Sequence, residues 1–340
     1  MNNKLSKLRI AVLASSAVVA LSAAGLVNAD LGTLVSVGSP GNAGDSLLEY
    51  SIVSGAAINI AAQPHVTDSP NVGGHLAAKA AVVVGANTTV NDIYAGAAVT
   101  TGDGSHVKQI YAGAAAGVGA NALAQDVTAG AAVVVGANGA VGNINAGAAI
   151  TLGAGATYYP NPAGLTITHG AGSAVSEITQ DYTDAGFVDS AEDMSEALSI
   201  IKKKITDNPV EPLLVTPFKD LSGHLIGQTP LRTEYYSAIN IQANTTLTIQ
   251  GEHLTIITSE AVTLGAGAEI VLLDGATVTW ILGGSLNLGA GSTWRGETYV
   301  KGAVNGATSD VECGTLYATG PVSIVTMGHT RCRLPTTEAL

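Results

Sequence analysis

The sequence predicts a mainly β protein built as a β-solenoid, in which successive coils of the chain stack as parallel strands. A short repeat with glycine at a fixed position predicts this fold. Composition agrees, because 42 of 340 residues are glycine and aromatic residues make up only 4%. Few aromatic side chains and many alanines and valines indicate a thin core of small, repeated side chains.

The repeat is 17 residues long and occupies residues 77–158. Its five copies begin at Ala77, Tyr94, Tyr111, Thr128 and Asn145. Their ninth position holds Gly85, Gly102, Gly119, Gly136 and Gly153. Alanine and then asparagine or glycine mostly follow, so we expect a turn at this glycine that requires positive φ. The period is too short for two helices, and the glycines do not recur every third residue as in collagen.

Two repeat positions are consistently apolar and are predicted to point inward. The sixth position holds Val82, Val99, Ala116, Val133 and Ile150, and the last holds Ile93, Ile110, Val127 and Ile144. We expect two short strands per repeat, separated by turns. One coil cannot bury its apolar face alone, so stacking supplies the core.

The first 29 residues are predicted to be a signal peptide. Basic residues precede an apolar run from Ile10 to Leu26, and Val27-Asn28-Ala29 forms a small-x-small cleavage site. The alternative is a retained membrane anchor, which the short apolar run disfavours. The mature chain, residues 30–340, is expected to be a single secreted domain that is extracellular, periplasmic or attached to the cell surface. Residues 30–76 are expected to supply N-terminal strands.

The chain is acidic, with a formal net charge of −12. Removal of the signal peptide makes the net charge more negative, because that segment contains three basic residues and no acidic ones. Nucleic acid is therefore disfavoured as a partner, and we expect no membrane contact after cleavage.

Cys313 and Cys332 are the two cysteines of the chain. Export exposes them to oxidising conditions, so we predict a disulfide between them, with two buried free thiols as the alternative. The seven histidines are dispersed, and we expect neither a metal site nor a cofactor.

An amphipathic helix is predicted from Ser190 to Ile205, within residues 189–207. Apolar residues fall at helical spacing, Ser190 is a candidate N-cap, and Asn208-Pro209 ends the helix. We expect the helix to cover one apolar flank of the solenoid, and a partner-binding helix is the alternative.

The β pattern returns over residues 235–328, the expected C-terminal coils. Segments such as Leu247-Thr248-Ile249 alternate with period two, and Leu264–Gly267 and Leu288–Gly291 match Leu152–Gly155. Both halves are thus predicted to form one solenoid, or two solenoids stacked in register.

Three segments of the second half resemble the type 1 ice-binding protein family, also known as the DUF3494 domain. They are Val278–Ser285 (VTWILGGS), Leu288–Gly296 (LGAGSTWRG) and Glu312–Ile324 (ECGTLYATGPVSI). The resemblance implies a discontinuous, right-handed and roughly triangular β-helix with one long α-helix along its side. It also implies adsorption to ice through one flat face. The regular 17-residue array departs from the family pattern, and the family has no fixed binding motif to transfer by position.

If the sixth and eighth repeat positions point inward, the fifth and seventh point outward. Equivalent outward pairs occur in the second half. The candidate ice-contacting residues are Ala98, Thr100, Ala132, Val134, Ala149, Thr151, Ala261, Thr263, Ser285 and Asn287. Stacked at about 4.8 Å, they would form a flat ladder of methyl and hydroxyl groups able to order water at an ice surface.

Three functions compete at this point. The first is a secreted ice-binding protein with antifreeze or recrystallisation-inhibition activity. The second is a structural, adhesin or filament protein of an extracellular matrix, whose apolar strip self-associates. The third is a carbohydrate-active enzyme, which would need stacked coils to bring Glu269 and Glu297 together. The scattered carboxylates disfavour the third, so we expect no enzyme.

Overall fold

A computed structural model describes residues 50–62, 75–158, 166–172, 174–175, 191–207, 219–227, 233–251, 253–273 and 275–330. The predicted signal peptide, the helix cap Ser190 and Cys332 lie outside these residues, as does most of segment 30–76. The signal peptide and the disulfide therefore stay predictions.

The described chain is mainly β, with one described helix, α1 (Ala191–Asp207). The first half contains β1 (Tyr50–Ser54), β2 (Ile58–Ile60), β3 (His75–Ala78), β4 (Val82–Val84), β5 (Thr89–Ala95), β6 (Val99–Thr101), β7 (His106–Ala112), β8 (Ala116–Val118), β9 (Leu123–Ala129), β10 (Val133–Val135), β11 (Ala140–Ala146), β12 (Ala149–Leu152), β13 (Thr157–Tyr158), β14 (Thr166–His169) and β15 (Ala174–Val175). The second half contains β16 (Lys219–Asp220), β17 (Leu225–Ile226), β18 (Thr233–Tyr236), β19 (Ile239–Ile241), β20 (Thr246–Ile249), β21 (His253–Thr258), β22 (Val262–Leu264), β23 (Glu269–Leu272), β24 (Thr277–Leu282), β25 (Leu286–Leu288), β26 (Ser292–Val300), β27 (Val304–Ala318) and β28 (Val322–Thr330).

Each 17-residue repeat forms one coil with two strands, as predicted. In the first four repeats the second strand is longer than expected, seven residues against three in the first strand. The coils stack in parallel with a register of one repeat, so that Val134 lies between Gly117 and Thr151 of its neighbours. The sixth and last positions are buried, for example Val133 and Ile144. This confirms the predicted inward positions and the stacked core.

The turn after each short strand differs from the prediction in one respect. Positive φ occurs two residues after the ninth-position glycine, at Asn87, Asn121, Asn138 and the equivalent Gly104 and Gly155. The ninth-position glycine is required for a different reason. A Cβ atom at Gly102 would lie 2.3 Å from the backbone nitrogen of Ala86 in the neighbouring coil. Glycine there permits close backbone approach between coils.

The stack is continuous although the chain path through it is not. β1 pairs with both β3 and β27, and β2 pairs with both β4 and β28. The first coil (β1 and β2) therefore lies between the second coil and the last strands of the chain, β27 and β28. We call the contact of the first coil with β27 and β28 the seam. Both halves belong to one stack, as the first of the two alternatives predicted.

Both halves extend further than their sequence patterns indicated. β14 pairs with β12 in register, so the stack continues beyond the interruption of the repeat at Tyr158. The second half begins at Lys219, before the predicted start at Tyr235, and β16 pairs with β19.

Helix α1 lies against the solenoid, close to the predicted position. Leu198 and Ile201 are buried in an apolar cluster with Val53, Tyr299 and Tyr317. This confirms the predicted covering role. Lys202, Lys203 and Lys204 remain exposed, and the Lys204 ammonium lies 5.8 Å from the centre of the Tyr299 ring.

Candidate functional site: the short-strand face

The short strands stack into one face, here called the short-strand face. Most have an apolar–outward–apolar pattern, as in Val82–Val84 and Val262–Leu264, where the residues flanking the middle one point into the core. Register partners link the middle residues into one unbroken column that crosses the seam. In order, the column is Asp220, Asn240, Thr263, Asn287, Asn305, Ser323, Asn59, Val83, Thr100, Gly117, Val134, Thr151 and Thr168.

All ten candidate residues from the sequence lie on this face or at its edge. Four of the ten candidates are exposed members of the column: Thr100, Val134, Thr151 and Thr263. Asn287 and the fifth-position residues Ala98, Ala132, Ala149, Ala261 and Ser285 are half-buried. The seventh position is therefore the principal outward position, and the fifth forms the border where the chain enters the strand.

Sequence reasoning missed six members of the column. They are Asn59, Thr168, Asp220, Asn240, Asn305 and Ser323. Asn59, Asn240 and Ser323 share one detectable signal, the middle position of a triplet whose outer residues are apolar, as in Ile58-Asn59-Ile60. Their membership of one column depends on the seam, which no local pattern reveals.

The two ends of the column differ in chemistry. From Val83 to Thr168 it presents methyl groups, one glycine and threonine hydroxyls. Among the described residues, no protein group forms a hydrogen bond with the hydroxyl of Thr100 or Thr151. From Asn240 to Asn59 the column is richer in amides, and the side-chain nitrogen of Asn305 donates to the Asn287 oxygen at 3.0 Å. Water at the repeat side therefore meets hydroxyls among methyl groups, and water at the other side meets mainly amides.

The column carries one ionisable residue, Asp220, at its far end. The Ser222 side chain and its backbone N–H donate to the Asp220 carboxylate and hold its pKa below the usual value. Asp220 is thus ionised at neutral pH. The other twelve middle residues have no titratable group, so the face stays uncharged along nearly all of its length.

The two carboxylates considered for catalysis occupy different columns. Glu269 aligns with Thr246 and accepts a hydrogen bond from Arg295 Nη1 at 3.1 Å. Glu297 aligns with Thr279 and accepts a hydrogen bond from the Tyr299 hydroxyl at 2.8 Å. Each is bound by a different neighbour, so the stacking does not form the paired carboxylates that glycoside hydrolysis uses.

Tyr299 beside α1 and Tyr111 in the repeat are held in their neutral form. Burial, with a contribution from the Glu297 carboxylate, raises the pKa of Tyr299. Tyr111 stacks on Tyr94 with ring centres 5.0 Å apart, and burial together with Asp92 and Asp126 raises its pKa to about 12. These rings pack the solenoid rather than serving as acids or bases near neutral pH.

Among the described residues, no group of three His, Cys, Asp or Glu side chains comes together as a metal site. The same part of the chain contains no helix with the length and hydropathy needed to cross a bilayer. Comparisons with known protein families and with curated proteins found no match for this chain.

Proposed function

We propose that the protein is a secreted ice-binding protein without enzymatic activity, and that it adsorbs to ice through the short-strand face. The observation that carries this proposal is the register-aligned column of thirteen outward residues, which is uncharged except at Asp220. Its partner would be the ordered water of an ice surface. The resemblance of the second half to the type 1 ice-binding family supports the same function. A right-handed, roughly triangular coil is part of the proposal.

The chemistry of the face supports water ordering. Parallel strands place equivalent side chains about 4.8 Å apart, so the outward groups recur at a constant interval along a rigid scaffold. Threonine methyl groups pack against their neighbours, while the hydroxyls of Thr100 and Thr151 can each hold a water molecule. Charged side chains would bind water in other orientations, and the column lacks them between Asn240 and Thr168. Helix α1 packs on other strands and leaves the column open.

Ice affinity purification of the mature protein tests the proposal. Wild type is expected to partition into growing ice, and the double variant Thr100→Tyr with Thr151→Tyr is expected to lose this. Two bulky rings would lift the flat face from the ice surface. We expect at least about a tenfold loss of incorporation, the equivalent of ~1.4 kcal/mol.

A matched control places two tyrosines on exposed positions of other strands in the same region, Asn91→Tyr with Lys108→Tyr. This control should partition like wild type. Equal partition by the face variant would assign ice contact to another surface. Absence of wild-type protein from the ice would reject the function itself.

A structural role is the second candidate, because two valines on the face are unusually exposed. Val83 is 41% exposed and Val134 is 47% exposed, three steps apart in the same column, and an exposed apolar face can mark an association surface. If the face joins copies of the chain, sedimentation velocity should show concentration-dependent assembly, and Val83→Thr with Val134→Thr should reduce it. A monomer at all concentrations would exclude this role.

A further inference from the structure

Four asparagines share one exposed turn conformation. Asn87, Asn121, Asn138 and Asn244 have φ values of 56°, 53°, 54° and 56°. Each is the third residue after a short strand, and each side chain is exposed. The turn itself accepts either asparagine or glycine, since the equivalent Gly104 has φ 66°. Asparagine is therefore not obligatory at this position.

Only two of the four asparagines have a hydroxyl residue two positions later. Asn87 is followed by Thr88-Thr89, and Asn244 by Thr245-Thr246, whereas the same position after Asn121 and Asn138 holds Leu123 and Ala140. Leucine and alanine there show that the turn does not need threonine. Asn-x-Thr is the acceptor motif for N-linked glycosylation of exported proteins.

We propose that Asn87 and Asn244 are acceptor sites for N-linked oligosaccharides when the chain passes through a secretory pathway. The donor is an oligosaccharide attached to a lipid pyrophosphate. The asparagine Nδ2 forms a bond to the anomeric carbon of the sugar and releases one proton. The bond between that carbon and the pyrophosphate breaks, and the lipid pyrophosphate is the leaving group.

Both asparagines are exposed at their turns. The Oδ1 atom of Asn87 lies against Gly104 of the next coil and that of Asn244 against Gly267, where an added Cβ atom would come within 2.7 Å and 2.5 Å of the respective oxygens. Glycine at these two positions therefore leaves space for each asparagine side chain. The threonines that complete the motifs, Thr89 and Thr246, begin the following strands.

Both sites lie along the same edge of the short-strand face. The strands before them, β4 and β19, belong to one parallel stack, so their turns leave it on the same side. Val83 and Asn240 are six steps apart in the column, which places the two sites about 29 Å apart. The glycans would border the face and leave its column uncovered, so this assignment is independent of ice binding.

Cell-free translation with endoplasmic-reticulum microsomes tests the assignment. The 340-residue chain is preceded by a well-characterised secretory leader, so that export does not depend on the predicted signal peptide. Only protease-protected chains are scored, because protection shows that they entered the microsome. We expect two mobility shifts that endoglycosidase H removes. Thr89→Val and Thr246→Val should each abolish one, while Thr89→Ser should keep both.

Asn121 and Asn138 provide matched controls in the same turn. Neither should be modified in the wild-type chain, and Leu123→Thr should add a third shift by completing a motif at Asn121. Protected wild-type chains without any shift would overturn the proposal. So would shifts that persist when both Thr89 and Thr246 are replaced by valine.

Discussion

Replacing Gly119 with alanine is expected to destabilise the solenoid by about 3 kcal/mol or more, at the upper end of what overpacking costs. A Cβ atom at Gly119 would lie 2.3 Å from the carbonyl oxygen of Gly102 and 2.4 Å from its carbon. Both atoms are backbone, so no side-chain rotation relieves the contact. The two coils would have to separate, which would lengthen the hydrogen bond from the Gly104 N–H to the Ala120 oxygen, 2.8 Å here, and its neighbours.

Gly117, two residues earlier in the same coil, is the matched control. A Cβ atom there would meet nothing closer than 3.9 Å. Gly117→Ala should therefore leave stability unchanged or raise it by about 0.4–1 kcal/mol, because alanine restricts the unfolded chain. A third variant, Gly291→Ala, introduces a side chain at φ 68°, where a Cβ atom would meet nothing closer than 4.0 Å, and so measures the separate cost of that conformation.

Urea unfolding of the three variants, followed by circular dichroism, gives the free energies of unfolding. Gly117→Ala is expected to be as stable as wild type or slightly more stable, and Gly119→Ala is expected to be the least stable. Equal losses at Gly117 and Gly119 would contradict close coil contact as the reason for the ninth-position glycine.

The ninth-position glycine shows what the repeat pattern can predict and what it cannot. The 17-residue recurrence of Gly85 and its equivalents correctly located a turn in every coil. The recurrence could not distinguish a glycine needed for positive φ from one needed for close packing, because either requirement places glycine at the same position of every repeat. The contact between Gly102 and Ala86 that decides the matter joins different coils, and only the stacking register reveals it.

Local patterns predicted the repeat half well, because its contacts recur every 17 residues. The inward positions, the two strands per coil and the outward seventh position all follow from that period. The second half departs from the expected core of small side chains. Trp280 and Trp294 are fully buried there, with ring centres 4.5 Å apart, and the Trp294 ring nitrogen donates to the Thr298 hydroxyl at 2.9 Å. A low aromatic content describes the chain as a whole and not each part of its core.

The seam was beyond prediction from periodicity. The Ser54 hydroxyl donates to the Gly320 oxygen at 2.8 Å across 266 positions of sequence, and no local signal identifies that pairing. The polar members of the short-strand face, such as Asn59 and Ser323, were missed for the same reason. Their place in the column follows from which coils meet, whereas the candidate threonines could be predicted within one repeat.

Ile201→Ala is expected to lower the free energy of unfolding by about 2–5 kcal/mol, the usual cost of truncating a buried isoleucine. Ile201 is fully buried and belongs to one cluster with Val53 of the first coil and Tyr317 of the last coil. Helix α1 thus packs on both sides of the seam. The pairing of β1 with β27 closes a very long loop of chain, whose entropy cost must be offset by contacts made after closure. The helix supplies such contacts.

Lys202→Ala is the control for this prediction, because Lys202 follows Ile201 in the helix and is exposed. It should change the unfolding free energy by no more than about 0.5 kcal/mol. If α1 stabilises the seam, Ile201→Ala should also increase binding of a hydrophobic dye in mild denaturant, as Tyr299 and Tyr317 lose their cover. Equal stability of the two variants would mean that the seam is maintained by strand pairing alone. The helix would then be a connection between the halves and not a part of what holds them together.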